Sequence, residues 1–238
     1  MNPKGGGGSF GVVTTYTLRA FPQCQVWGGV RLYPSTWTRE ILAAVRDFTE
    51  NGDEKAGLIA AADTTGFNLV ETWVVIIFYN GPTPPSNVFA HSDKIPHVAD
   101  TLKTRSFHDL MVYNNNFVLK NSICTIGAET TVLPNRTVAV DVMMGYYDGW
   151  RANARSVGNV YGLVASIAFQ PMPMIITRKS NQYGGVALNI DDSVDHLIFE
   201  LDYSYWFERD TPRIDAIMQK SYADLGAKVK DNQQTRLL

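Results

Sequence analysis

Gln170, Tyr183, Asn115 and the glycine run Gly5 to Gly8 are the residues whose types and settings suit chemistry. Gln170 stands before Pro171 at the end of an expected strand, and Tyr183 stands beside Gly184 and Gly185. A buried amide or phenol in such a place can orient a carbonyl or stabilise a developing oxyanion. The plainer reading is a strand-end amide and a turn aromatic that simply satisfy their hydrogen bonds. Asn115 lies in the run Asn114, Asn115, Asn116, an expected loop, and loops on a rigid scaffold concentrate ligand contacts. Consecutive glycines let the backbone visit positive φ and turn successive N–H groups toward an anion, with phosphate the obvious guest. No Gly-Lys-Ser/Thr and no helix start follow the run, so it is not a P-loop. Glu200 and Asp202 share one face of a strand, which reads as a solvent or domain contact rather than an acid/base pair.

Other chemistries are set aside. The histidines at 91, 97, 108 and 196 have neither HExxH nor i, i+4 spacing, so no metal site is expected. No GxSxG stands in the chain. A net charge of −2 gives no footprint for nucleic acid or an anionic membrane. Cys24 and Cys124 lie far apart and read as free buried thiols. The start lacks the apolar core of a signal peptide, and no run is long enough to cross a membrane, so the expectation is a soluble, cytoplasmic chain. The Asn135-Arg136-Thr137 sequon carries little weight without a leader.

Positioning these residues falls to strands and helices legible from periodicity. A strand is expected over Phe10–Leu18, and a second over Gln23–Tyr33 with Val26, Gly28, Val30 and Leu32 on one face. A helix capped at Ser35 or Thr36 carries Trp37, Ile41, Leu42, Val45 and Phe48 and closes at Asn51-Gly52. Strands follow over Gly57–Asp63 and Asn68–Tyr79, then a proline-rich break from Asn80. Ser86–Ile95 reads as a short helix, Ala99–Ser106 as extended, and Thr125–Thr131 as a short strand. Arg136–Val157 is a long helix whose Met and aromatic stripe is core rather than a cofactor box. Val160–Gln170, Ala187–Asn189 and His196–Trp206 complete the strands, with Leu197, Phe199, Leu201 and Tyr203 on the dry face. Trp73 and Trp206 read as core. Thr211 and Pro212 open a last helix that Gly226 closes. Runs of strands separated by single helices predict an α+β fold, an antiparallel β-sheet with helices packed on one face.

Three segments carry a resemblance: Gly5 to Thr17 continued by Leu18 to Pro22, Gly81 to Leu110 with Thr101 to Phe107, and Val164 to Gly185 with its Ala168 to Pro173 centre. Taken in order, they resemble berberine-bridge-enzyme-like, FAD-linked oxidoreductases of the vanillyl-alcohol-oxidase superfamily, fungal type. The resemblance implies FAD as cofactor, with Gly6, Gly7, Gly8, Ser9, Phe10, Gly11 and Val12 contacting it. It implies a substrate domain whose open sheet face looks at the flavin, with Asn115, Phe169 and Gln170 on the substrate and Gln170 and Tyr183 as catalytic residues. Residues 1–22 would be a remnant of the FAD-binding domain and 23–238 the substrate domain. The family's main FAD-binding part and its berberine-like carboxy-terminal segment have no counterpart here. The implied function is an FAD-linked oxidoreductase-like protein acting on a small apolar natural product in secondary metabolism. The alternatives are a flavin-free, pericyclase-like cyclase or isomerase and a non-catalytic partner subunit. Expected partners are the small-molecule substrate and either a second copy or a separate flavin-domain chain.

Overall fold

Period-two alternation of apolar and polar residues builds most of this molecule. The computed structural model describes residues 11–65, 70–117, 119–185 and 190–235. Its strands are β1 (Val26–Pro34), β2 (Ala56–Thr65), β3 (Val70–Tyr79), β4 (Ala99–Asp100), β5 (Lys103–Arg105), β6 (Ile123–Val132), β7 (Val164–Met172) and β8 (His196–Tyr205). They form one sheet in the order β4-β1-β3-β2-β7-β8-β6, with β5 also on β1, and every pairing is antiparallel. The chain visits the strands out of sequence order, so β7 and β8 insert between β2 and β6.

One face of the sheet is dry. Tyr33, Trp73, Val75, Ala60, Ile167, Phe169, Phe199 and Leu201 point into it and are buried. Three helices cover it: α1 (Thr38–Asn51), α4 (Ala139–Ser156) and α6 (Thr211–Thr235). Aromatic rings knit the two layers. Trp73 stacks on Tyr147 at 5.7 Å, Phe169 meets Phe199 edge-on at 5.2 Å, and Tyr146 lies 4.7 Å from Phe199. Such pairs add about 0.5–1.5 kcal/mol each beyond burial. The Trp73 indole N–H donates to Thr38 Oγ1 at 2.9 Å, so its one polar atom is satisfied inside the core. Glu71 on β3 accepts from Arg151 and Arg155 of α4, and the Arg151 bond holds its carboxyl below the usual range.

Three further helices are shorter: α2 (Ala90–Asp93), α3 (Phe107–Asn114) and α5 (Met174–Gln182). α3 packs on the other face of the sheet at its β1 end. Gly28 allows this approach, since a Cβ there would meet the Ile77 carbonyl oxygen at 2.7 Å and Leu110 Cδ2 at 3.2 Å. Ser106 caps α3 by accepting from the Asp109 N–H at 3.0 Å, and the Arg105 guanidinium lies over the Tyr113 ring.

The antiparallel α+β architecture agrees with the expectation, and several elements differ from it. Residues 11–25 form no strand and are exposed, because no other described segment offers them a ladder of backbone partners. β7 continues through Pro171 to Met172, because pairing with β2 ends at Phe169 and the missing proline N–H removes no bond on that side. Pro173 sits at the N-cap position of α5, a helix that periodicity did not reveal. α6 runs past Gly226, since Val229, one turn beyond Leu225, keeps burying an apolar side chain against the core. The strand expected over Ala187–Asn189 lies outside the described residues. Cys24 and Cys124 are free, as expected, but both are exposed.

Candidate active site on the open sheet face

Among the described residues, α1, α4 and α6 lie on one face of the sheet, and the second face is approached by α3 at its β1 end and by the start of α5 near Gln170. Alternation and register place its residues in rows across the strands. Asp63, Ser166, Asp202 and Ile126 form one row, and Ala61, Ala168, Glu200 and Ala128 the next. The alanine row is a flat, shallow shelf between a carboxylate row and the apolar residues Ile59, Ile76 and Phe78. At the open-face positions of β3, β2, β7, β8 and β6 there is no lysine or arginine among the described residues.

Gln170 stands on this face. Its side-chain nitrogen donates to Glu200 Oε2 in a short hydrogen bond from β7 to β8. The amide nitrogen is thus committed to the neighbouring carboxylate, and the amide oxygen is left unengaged by that bond. Gln170 also lines a cavity of about 330 Å³ with Phe48, Ile59, Ile76, Phe78, Ile175 and Ile176. Asp53 and Glu54 stand in the same wall, and Lys179 of α5 pairs with Glu54 at 2.6 Å. The volume falls within the range of small-molecule sites, about 300–1,000 Å³.

Farther along the face, Asp63, Ser166, Asp202, Ser204 and Cys124 form a connected polar patch. Burial pushes the Asp63 carboxyl up to about 6, opposed by a hydrogen bond with Ser166 and assisted by the Asp202 charge. The Cys124 thiol donates to Asp202 Oδ1 at 2.8 Å, and burial together with that carboxylate pushes the thiol up to about 11. A carboxyl raised toward neutrality takes up and gives back a proton more readily near pH 6 than an ordinary aspartate does. Sequence reading weighed Glu200 and Asp202 as a solvent pair and passed over Asp63, Ser166 and Cys124. The available signal was the period-two placement of polar residues on strands rich in alanine and valine.

The remaining expected residues are placed differently. Phe169 projects to the helix-covered face, is 0% exposed, and packs against Trp73 and Phe199, so it is a core residue. An odd-numbered position on β7 cannot share a face with Gln170. Tyr183 follows α5 with its side chain 68% exposed, and among the described residues no hydrogen bond joins it to Gln170. Asn115 is exposed in the turn after α3, its N–H bonded to the Met111 and Tyr113 carbonyls. Gly6, Gly7, Gly8, Ser9 and Phe10 lie outside the described residues. Gly11 and Val12 are exposed, Val12 to 92%, with nothing within 4 Å of the place a Gly11 Cβ would take. The alanine shelf suits the face of a flat ring. The described open-face positions of β2, β3, β6, β7 and β8 supply no cationic group for a dinucleotide's pyrophosphate. Among the described residues, no three His, Cys, Asp or Glu side chains are grouped to hold a metal, and no helix is long and apolar enough to cross a membrane.

No family model matches the chain. It is 33% identical over 229 residues to an uncharacterized FAD-linked oxidoreductase of Arthroderma benhamiae, covering 95% of this chain and 45% of that protein. It is 26% identical over 209 residues to the FAD-dependent monooxygenase drtC of Aspergillus calidoustus, covering 85% of this chain and 38% of that one. The chain therefore spans less than half the length of these curated relatives. Among solved structures, 6-hydroxy-D-nicotine oxidase from Arthrobacter nicotinovorans superposes with a TM-score of 0.57 at 10% identity, over 87% of this chain and 44% of that one. Berberine bridge enzyme from Eschscholzia californica gives 0.54 at 9% identity, over 87% and 41%. The sequence relatives are FAD-linked oxidoreductases and monooxygenases, and the fold is that of the antiparallel substrate domain of berberine-bridge-enzyme-like FAD oxidases.

Proposed function

We propose that this chain supplies the substrate-binding side of an FAD-linked oxidoreductase acting on a small apolar natural product of secondary metabolism. The observation that carries the reading is the open sheet face, where the Gln170–Glu200 pair stands above an apolar cavity. The flavin, when bound, would supply the electron acceptor. The chain's own residues would do the rest. Ile59, Ile76 and Phe78 bind the apolar body and exclude water, and the alanine shelf sets a flat ring parallel to the sheet. Glu200, held in place by the Gln170 amide, accepts a hydrogen bond and then the proton from a substrate hydroxyl or amine. Asp63 and Asp202 lie together in the next row and offer a route by which that proton leaves the site. Residues 1–22 would then be the part that reaches toward the cofactor, with residues 23–238 as the substrate domain. The open face would be covered by a flavin-binding partner or a second copy.

The test is the visible spectrum of the purified chain after incubation with FAD and gel filtration. It is repeated in the presence of the segment of the Arthroderma relative that lies outside the match. Flavin absorbance co-eluting with the chain in either mixture supports the proposal. A colourless chain that also fails to associate with the flavin-loaded segment sinks it.

A further inference from the structure

The cavity beneath Gln170 combines two features that together select a ligand. Its walls are hydrocarbon: Phe48 and Leu58 come from the α1–β2 side, Ile59, Ile76 and Phe78 from the sheet, and Pro171, Pro173, Ile175 and Ile176 from the start of α5. Its carboxylates fall into two groups: Asp53 and Glu54 have lysines beside them, Lys55 next in the chain and Lys179 of α5, whereas Glu200 stands at an open-face position of the sheet, where β2, β3, β6, β7 and β8 carry no lysine or arginine among the described residues. Asp53 and Glu54 stand in the wall and Glu200 is bonded to Gln170, while Lys179 is already paired with Glu54. An anionic group entering beside Gln170 would face the Glu200 carboxylate, whose bonded neighbour is a neutral amide, with no lysine or arginine at the described open-face positions of those strands to offset it, and such like-charge placement is unfavourable.

We propose that this cavity receives the hydrocarbon arm of a neutral or cationic substrate whose hydroxyl or amine donates to Glu200, and that carboxylate-bearing compounds are rejected. This deepens the reading of the open face as a substrate platform and rests on it. The volume of about 330 Å³ accommodates a branched arm or a single ring rather than a whole polycyclic product. The larger remainder of the substrate would lie on the alanine shelf. Gln170 is then a positioning residue, because its amide fixes the Glu200 carboxylate, and the apolar wall sets specificity. The Lys179–Glu54 pair joins α5 to the turn after α1 and holds the outer wall in place.

Three probes of equal apolar size separate the possibilities: 4-butylphenol, 4-butylbenzylamine and 4-butylbenzoate. Each is titrated into the full 238-residue chain, without flavin, and followed by amide chemical shifts at Ile59, Gln170 and Ile176. The phenol and the benzylammonium ion are expected to bind at least about tenfold more tightly than the benzoate. Ile176→Trp, at a side chain 51% exposed and therefore harmless to the core, should fill the cavity and weaken all binding about fivefold or more. Glu200→Gln should bring the benzoate to within about threefold of the phenol. Equal binding of benzoate by the unaltered chain overturns the charge selection. Unchanged affinity in Ile176→Trp, or shifts confined to other parts of the chain, overturns the cavity assignment. Because no flavin enters the assay, failure here with flavin retained in the spectral test removes only the substrate class. A colourless chain that still discriminates the probes removes only the oxidoreductase reading.

Discussion

Replacing Asp63 with asparagine should stabilise this protein, and only above a definite pH. Burial on β2 raises the Asp63 carboxyl from its ordinary 3.8 to about 6, and the nearby Asp202 charge adds to the effect against the Ser166 hydrogen bond. Below about pH 4 the group is protonated in both folded and unfolded chains and contributes nothing to the pH dependence. Between about pH 4 and 6 the unfolded chain gives up its proton while the folded chain keeps it, so stability falls as pH rises. Above about pH 6 both states are ionised and the whole penalty is present, roughly 2–3 kcal/mol at 1.36 kcal/mol per pH unit. Asp63→Asn cannot ionise, and its amide oxygen still accepts from Ser166. The variant should match the unaltered chain near pH 4 and exceed it by roughly 2 kcal/mol at pH 7. Urea denaturation of both proteins, followed by tryptophan fluorescence at half-unit steps from about pH 4 to 8, measures the difference directly. Carboxylates held low, such as Glu50, at about 2 because of Arg46 and Arg136, act in the opposite sense. They are present in both proteins and cancel in the difference. A stability difference that stays constant across this range would falsify the account of a buried, reluctant carboxylate.

Other outcomes follow from the same packing. Cys124 is exposed, yet partial burial and the Asp202 carboxylate push its thiol up to about 11, so iodoacetamide at pH 8 should alkylate it roughly tenfold more slowly than an ordinary thiol, and Asp202→Asn should speed the reaction. Mass spectrometry of the two cysteine peptides reads this, and a Cys124 rate unchanged by Asp202→Asn would remove the carboxylate as a cause. Phe169→Ala should cost about 3–5 kcal/mol in urea denaturation, as expected for a fully enclosed ring. Phe169→Leu should retain probe binding in the cavity, since the ring lies on the far side of the sheet; binding lost while the fold remains intact would put Phe169 back in the site.

The helix-forming and strand-forming segments were largely visible in the linear pattern. Val26, Gly28, Val30 and Leu32 lie together on β1, and Leu197, Phe199, Leu201 and Tyr203 are the buried set of β8, because side-chain alternation is a local property of extended backbone. α1 was equally readable, since Ile41, Leu42, Val45 and Phe48 repeat at helical spacing. Local pattern could not say which strands would become neighbours. Asp63, Ser166 and Asp202 come from β2, β7 and β8 and meet only because β7 and β8 insert beside β2, a long-range pairing with no short-range signal. Phe169 and Gln170 show the same division within two residues. The sequence marked the pair as a site, and adjacency hid the fact that a strand must send one inward and the other outward. Composition and alternation therefore determined the class of fold. The order of the strands decided which carboxylates share a face, which amide holds Glu200 and where an apolar cavity opens, because those depend on distances across the sheet rather than along the chain.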